Sequence, residues 1–157
     1  MTQLYQNILV GLDGSPQAEV ALRKALQLAQ ESGAKIYLAH VVDTSPISSF
    51  ASRSESYEDL EDPKVMSALE DYRRFIEDSG YENVELLVEY GSPRDMMAEK
   101  LPKKYNIDLI MVGATGMGAV SRVFMGSIAE YITRNAIVDV TVVRTPSFET
   151  VEPIRRA

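Results

Sequence analysis

The chain has 157 residues, 45% hydrophobic and 25% charged, with 23 acidic against 16 basic residues and no cysteine. That length suits a single domain burying roughly two-thirds of its unfolded surface. A formal charge of −7 argues against general affinity for nucleic acid or anionic lipid, and the missing cysteines exclude disulfide and thiolate chemistry.

The opening MTQLYQNILVGLDGS has neither the basic start nor the long apolar stretch of a signal peptide. No later run approaches the ~20 apolar residues of a membrane span, so a cytoplasmic protein without membrane insertion is expected. NILVGL (7–12) is the first of five apolar runs with strand character. It leads through GLDGSP into a helix over 16–32, where Ala18, Ala21, Leu22, Ala25, Leu26 and Ala29 share one face. Ser15-Pro16 supplies a cap followed by proline at the first helical position, and Gly33 stands where a C-terminal glycine belongs. KIYLAHVV (35–42) is the second strand. A second helix, about 62–79, groups Val65, Met66, Leu69, Tyr72, Phe75 and Ile76, with Gly80 after it. VELLVEY (84–90) gives a third strand. The helix over 93–104 carries Pro102, which should end or distort its last turn. DLIMV (108–112) is the fourth strand, a fourth helix begins at Ser127, and VTVV (140–143) closes the series.

Strands alternating with helices are joined as parallel neighbours, and the nearly all-apolar first and fourth runs suit central strands covered on both faces. The expected architecture is a three-layer α/β/α sandwich around an open, mainly parallel five-stranded sheet. Residues 44–62, rich in serine and acid, read as a surface excursion. The tail after Pro146 reads as an extension outside the core, leaving a single domain over 1–146 and an extension over 147–157.

In such a sheet ligands bind beyond the carboxyl ends of strands, where connections diverge to opposite faces. Two unusual loops lie at such ends: GLDGSP after the first strand and GATGMGAVSRVFMGS (113–127) after the fourth. In the second, Gly113 and Gly116 permit positive φ and close approach of a ligand to the main chain. Gly126-Ser127 then opens a helix whose first N–H groups suit an anion. Ser127-x-x-Glu130 also matches a capping box, which would spend the serine hydroxyl on its own helix. The glycines run GxxGxG (113, 116, 118), so the loop is neither a P-loop nor a dinucleotide fingerprint.

Gly113-x2-Gly116-x9-Gly126-Ser127 resembles the G-x2-G-x9-G-[S/T] pattern of the nucleotide-binding branch of the universal stress protein family. ILVGLDGSPQAEVAL, LAHVVD, DLIMVGATGMGAVSRVFMGSIAEYITRNA and the final VTVV agree, so that the similarity covers about residues 5 to 145. The resemblance implies a sheet ordered 3-2-1-4-5 of the Rossmann-like, adenine-nucleotide α-hydrolase-like kind. It also implies ATP between strands one and four, and a homodimer through the last strand, Val140 to Val143. Carried across, Gly11, Leu12 and Asp13 would line the adenosine side, while Val41 and Val112 would flank the adenine. Gly113, Gly116, Gly126, Ser127 and Ile128 would hold ribose and phosphates of ATP, ADP or AMP. Asp13 would reach Mg2+, directly or through water, or serve as an Asx-turn residue in DGSP. The sequence departs from many family members in having Val138-Asp139 where they have a proline before the last strand.

Magnitudes limit what the phosphate loop can do. A helix N-terminus gives an anion about 0.3–1 kcal/mol, up to ~2 when sheltered, whereas micromolar binding needs about 8 kcal/mol. Adenine contacts must therefore supply a large share. Arg122 is a candidate phosphate partner or a solvated loop residue. His40, the single histidine, reads as structural, because no second histidine or cysteine completes a metal site. Met111, Met117 and Met125 read as packing residues, as do Tyr5, Tyr37, Tyr72 and Tyr131. The acids Glu58, Asp59, Glu61 and Asp62 lack calcium-loop spacing. No catalytic constellation is evident, so at most slow ATP hydrolysis is expected. Function reads as a nucleotide-dependent stress-response sensor acting through its conformation or an unidentified regulatory protein. The alternative is a dimeric interaction module that does not use nucleotide.

Overall fold

The computed structural model describes residues 5–44, 63–114, 125–145 and 153–154. Within them lie β1 (Asn7–Gly11), α1 (Pro16–Ser32), β2 (Lys35–Asp43), α2 (Pro63–Asp78) and β3 (Val84–Gly91). Next come α3 (Pro93–Asp95), a π segment (Met96–Lys100), α4 (Leu101–Tyr105), β4 (Leu109–Gly113), α5 (Ser127–Asn135) and β5 (Asp139–Val143). The strands form one sheet ordered β3-β2-β1-β4-β5, and every neighbouring pair is parallel. The expected α/β architecture and strand order are observed. Val138-Asp139 leaves the last pairing intact, from Leu109 opposite Asp139 to Gly113 opposite Val143. No helix among the described residues is long and apolar enough to cross a membrane.

Side chains alternate across each strand, so that the central ones feed two cores. Ile8 and Val10 of β1, with Ile36 and Leu38 of β2, join the apolar faces of α1 and α2. Leu9, Tyr37, Ala39, Ile110 and Val112 point the other way, against the π segment, α4 and α5. Helix α1 begins as its sequence dictates. Ser15 is extended (φ −76°, ψ 151°), its Oγ accepts the Ala18 N–H, Pro16 follows, and Gly33 closes the helix in the left-handed region at φ 77°. The predicted face of α1 is buried throughout. On α2 Leu69, Tyr72 and Ile76 are buried, with Val65 and Phe75 packed beside them, whereas Met66 in the first turn stays 38% exposed.

Pro102 distorts its helix upstream of itself, and the helix continues past it to Tyr105. A proline has no N–H for the carbonyl four residues back and crowds it. Here the preceding turn widens into the π segment, in which Leu101 N–H reaches Met96 O. The orphaned Ala98 carbonyl instead accepts the N–H of Ile137, on the approach to β5, at 3.2 Å. Asn106 then ends α4 in the left-handed region at φ 53°.

The expectation of a tail outside the core fails at Ile154. Its side chain is 8% exposed within the α1-side core, and its N–H donates to Glu19 Oε1 at 2.9 Å. Glu19 is itself 3% exposed in the first turn of α1. A buried carboxylate requires donors of this kind, and this one comes from the opposite end of the chain.

Candidate functional site

A cavity of about 500 Å³ lies at the carboxyl ends of β1, β2 and β4. Gly11, Leu12, Asp13, Val41, Val112, Gly113, Gly126, Ser127 and Ile128, predicted from sequence as one site, all line it. Gly116 lies outside the described residues, as do Met117, Arg122, the acids of 58–62 and nearly all of the 44–62 excursion. The lining also includes Ala39, Met97, Ala129 and Ile132, which the sequence reading did not assign. Two of these follow from periodicity, since Ala39 shares a face of β2 with Val41, and Ile132 lies about one turn beyond Ala129. Nothing in the sequence marks Met97, which the π segment delivers. Its methyl lies 2.9 Å from where a Cβ on Gly11 would stand.

The second loop closes on itself at the cavity edge. Gly126 N–H donates to Ala114 O at 2.7 Å, which sets the start of α5 beside the end of β4. Gly126 is the cap residue, in extended conformation, and Ser127 is already the first helical residue. Of the two uses open to the Ser127 hydroxyl, the capping box does not form, because Ser127 stands one position too far along to act as the cap residue. Among the described residues no side chain caps the helix, and Glu130 pairs with Arg134 at 2.9 Å. The N–H groups of the first turn have no intrahelical acceptors, and the Ser127 hydroxyl is released from capping. Tyr131 and Asp95 brace this wall: the phenol donates to Asp95 Oδ1 at 2.9 Å, a bond that raises its pKa above the ordinary value. Thus α5 is tied to α3.

Gly113 has a different reason from the one expected. Its φ is not among the positive values of the described residues. A Cβ there would fall 2.9 Å from the Gln17 carbonyl carbon and oxygen. The missing side chain lets the first turn of α1 lie against the end of β4; it makes room for the chain's own backbone.

On the first loop, Asp13 Oδ1 accepts the Ser15 N–H at 2.9 Å, the Asx turn expected of DGSP. The residue is exposed, so its second carboxylate oxygen remains accessible from the cavity. Among the described residues no group of three or more histidines or acids could hold a metal. Of the described residues, a divalent ion here would thus rely on Asp13, with water and its ligand completing the shell.

The main chain of β2 contributes as well. Lys35 N–H donates to Gln6 O and Ala39 O accepts Leu12 N–H, so odd residues of β2 face β1. Ile36 N–H donates to Asn83 O and Thr44 N–H to Gly91 O, so even residues face β3. Val41 is odd, and lies beyond the end of β1 at Gly11. Its N–H and C=O therefore point together toward the crevice, between the apolar walls of Ala39, Met97 and Val112.

A profile of the universal stress protein family matches residues 4–144. The chain belongs to that family. A universal stress protein homologue of Staphylococcus haemolyticus is 36% identical over 141 residues, covering 90% of this chain and 86% of its own. Among solved structures, the universal stress protein UspA of Lactobacillus plantarum aligns at TM-score 0.76 and 30% identity, over 89% of this chain and 98% of its own. A universal stress protein solved in complex with cAMP aligns at TM-score 0.63 and 25% identity, over 88% and 96%. The universal stress protein match contains every residue lining the cavity and ends before Ile154.

Proposed function

We propose that this universal stress protein binds ATP with Mg2+ and acts as a nucleotide-dependent regulator of the stress response, through its own conformation or a protein partner. The carrying observation is the cavity itself, in which an exposed main-chain donor–acceptor pair, an apolar slot and an uncapped helix N-terminus face one space. Adenine presents an acceptor, N1, beside a donor, its exocyclic amino group; Val41 offers the complementary N–H and C=O. Val41 and Val112 supply the apolar contact that the energy balance demands, since the helix terminus contributes at most ~2 kcal/mol of the about 8 needed for micromolar affinity. The phosphates extend toward the N–H groups of Ser127 and Ile128, at the start of α5, and the reading takes Gly126 and Gly116 as the small residues that let them approach. Mg2+ supplies charge neutralisation when bound, and Asp13 is the residue that would hold it, in part through water. The family member solved with cAMP is consistent with an adenine ligand. ADP and AMP share the base and ribose, and at most slow hydrolysis of bound ATP is expected.

Nucleotide released by heating the purified protein, identified by chromatography, tests this reading. ATP or ADP near one per chain supports it. A chain purified empty that shows no heat of binding with Mg-ATP overturns it. Coupling to conformation follows from linkage: a ligand that selects the folded state adds about 2.7 kcal/mol at a hundredfold excess over Kd.

We also propose that the edge of β5, Val140 to Val143, which pairs with no further strand among the described residues, is the surface through which two chains associate, in a cytoplasmic homodimer. Val140 and Val142 are half-buried there and Thr141 is exposed at the sheet edge. Light scattering should give the mass of two chains. A dimeric interaction module that makes no use of nucleotide is favoured by one observation, that Gly113 serves helix packing.

A further inference from the structure

We infer that His40 is the positioning residue that keeps the base-reading amide of Val41 available, by occupying the carbonyl that would otherwise claim it. The inference rests on the adenine reading above and assigns that site a further residue. In the parallel ladder between β1 and β2, Lys35 N–H bonds to Gln6 O and each odd residue repeats the pattern two positions on. Continued by one step beyond Ala39, it would bring Val41 N–H to Leu12 O. That carbonyl instead lies 3.0 Å from His40 Nδ1, and no Val41-to-Leu12 bond accompanies it among the described residues. A carbonyl oxygen only accepts, so Nδ1 carries the proton and donates. The neighbouring Leu12 N–H remains in the ladder, on Ala39 O at 2.9 Å. The ladder thus stops at Leu12 N–H, one bond short of sealing the crevice. His40, whose own N–H and C=O face β3, brings its ring to that carbonyl and lines the cavity next to Val41. A residue at 40 with no donor would leave Leu12 O free to recruit Val41 N–H, extending the sheet and masking the donor that adenine N1 needs.

The test compares His40→Phe, which keeps a ring without the donor, with His40→Asn, whose amide donates from nearly the position of Nδ1. Calorimetry with ATP, with inosine triphosphate (which lacks the exocyclic amino group and carries a proton on N1) and with inorganic tripolyphosphate separates base from phosphate binding. Amide exchange at Val41 reports on the nucleotide-free protein. For His40→Phe we expect ATP affinity to fall about tenfold, one net hydrogen bond, with tripolyphosphate binding unchanged. The preference for ATP over inosine triphosphate should shrink, Val41 exchange should slow, and His40→Asn should restore all of these. A His40→Phe protein that folds and keeps both its ATP preference and fast Val41 exchange overturns the inference. A wild-type protein that binds no nucleotide sinks the adenine reading alone; Val41 exchange then decides the role of His40, and a slow Val41 amide in the wild type overturns it.

Discussion

The two ends of the sheet are finished in opposite ways. At the amino end the main chain is closed by side chains: Asp108 accepts the N–H groups of Gln6 and Asn7 at 2.8 and 2.9 Å, and Asn7 Nδ2 donates to Asn106 O. Tyr5 donates to Asp139 across the same end, and Asp108 N–H returns a bond to Asn7 O. At the carboxyl end Leu12, Ala114 and Gly126 are bonded as well, but Val41 faces a cavity and no side-chain cap of α5 is found among the described residues. Unsatisfied polar groups next to apolar walls cost stability, so the proposed ligand would find its donors at the open end and not at the closed one. The contrast separates stability from binding and can be attacked from either side.

The largest effect is expected at the closed end. Asp108→Ala removes an acceptor shared by two amides and should cost about 3 kcal/mol, since bonds to charged groups contribute ~1.5–3 kcal/mol each and this site is part-exposed. Urea unfolding measures it, and nucleotide affinity should not change. Gly113→Val, at the open end, should cost about 2 kcal/mol by forcing a Cβ into the Gln17 backbone. Any loss of nucleotide binding in that variant should track unfolding. Gly126→Val should show the reverse, weakening Mg-ATP by about tenfold while changing thermal stability little; equal loss of both would erase the distinction between the two glycines. Ser15→Ala should cost about 1 kcal/mol, the usual contribution of an N-cap hydroxyl.

The smallest effect concerns pH. Burial raises the pKa of Tyr81 above 10.0, with Asn83 opposing, and its hydroxyl donates to Ala34 O. A folded pKa above the unfolded one gives stability that is complete below pH 10 and lost as pH rises through the folded value. Tyr81→Phe should flatten the alkaline decline in urea midpoint; an unchanged slope removes Tyr81 from the account.

Much of this was legible in the sequence, for reasons that differ by element. The helical face of α1, its cap and its terminal glycine are local patterns, and they fold as written. The gathering of Gly11, Val41, Val112 and Gly126 depends on strand order, which alternation alone does not give and which came from family resemblance. What stayed hidden was non-local. Glu19 sits next to Ala18 on a helix whose apolar stripe reads cleanly, and the return of Ile154 supplies a donor to the buried acid that no local pattern announces. The role of Gly113 was hidden because a glycine does not reveal whether a ligand or its own chain needs the space. Ser127-x-x-Glu130 left two uses of the hydroxyl open because the motif fixes a spacing without saying which residue begins the helix.

The fault that Pro102 introduces has a consequence for engineering. An ordinary helix would hand the Ala98 oxygen to residue 102; with proline there, that oxygen becomes a mooring for Ile137, and so for the lead into the outermost strand. Replacing Pro102 by alanine, the swap any propensity table recommends, would mend the helix by casting off that line. The repaired protein would hold a better rod and a looser border, at the margin proposed above for the contact with a second chain.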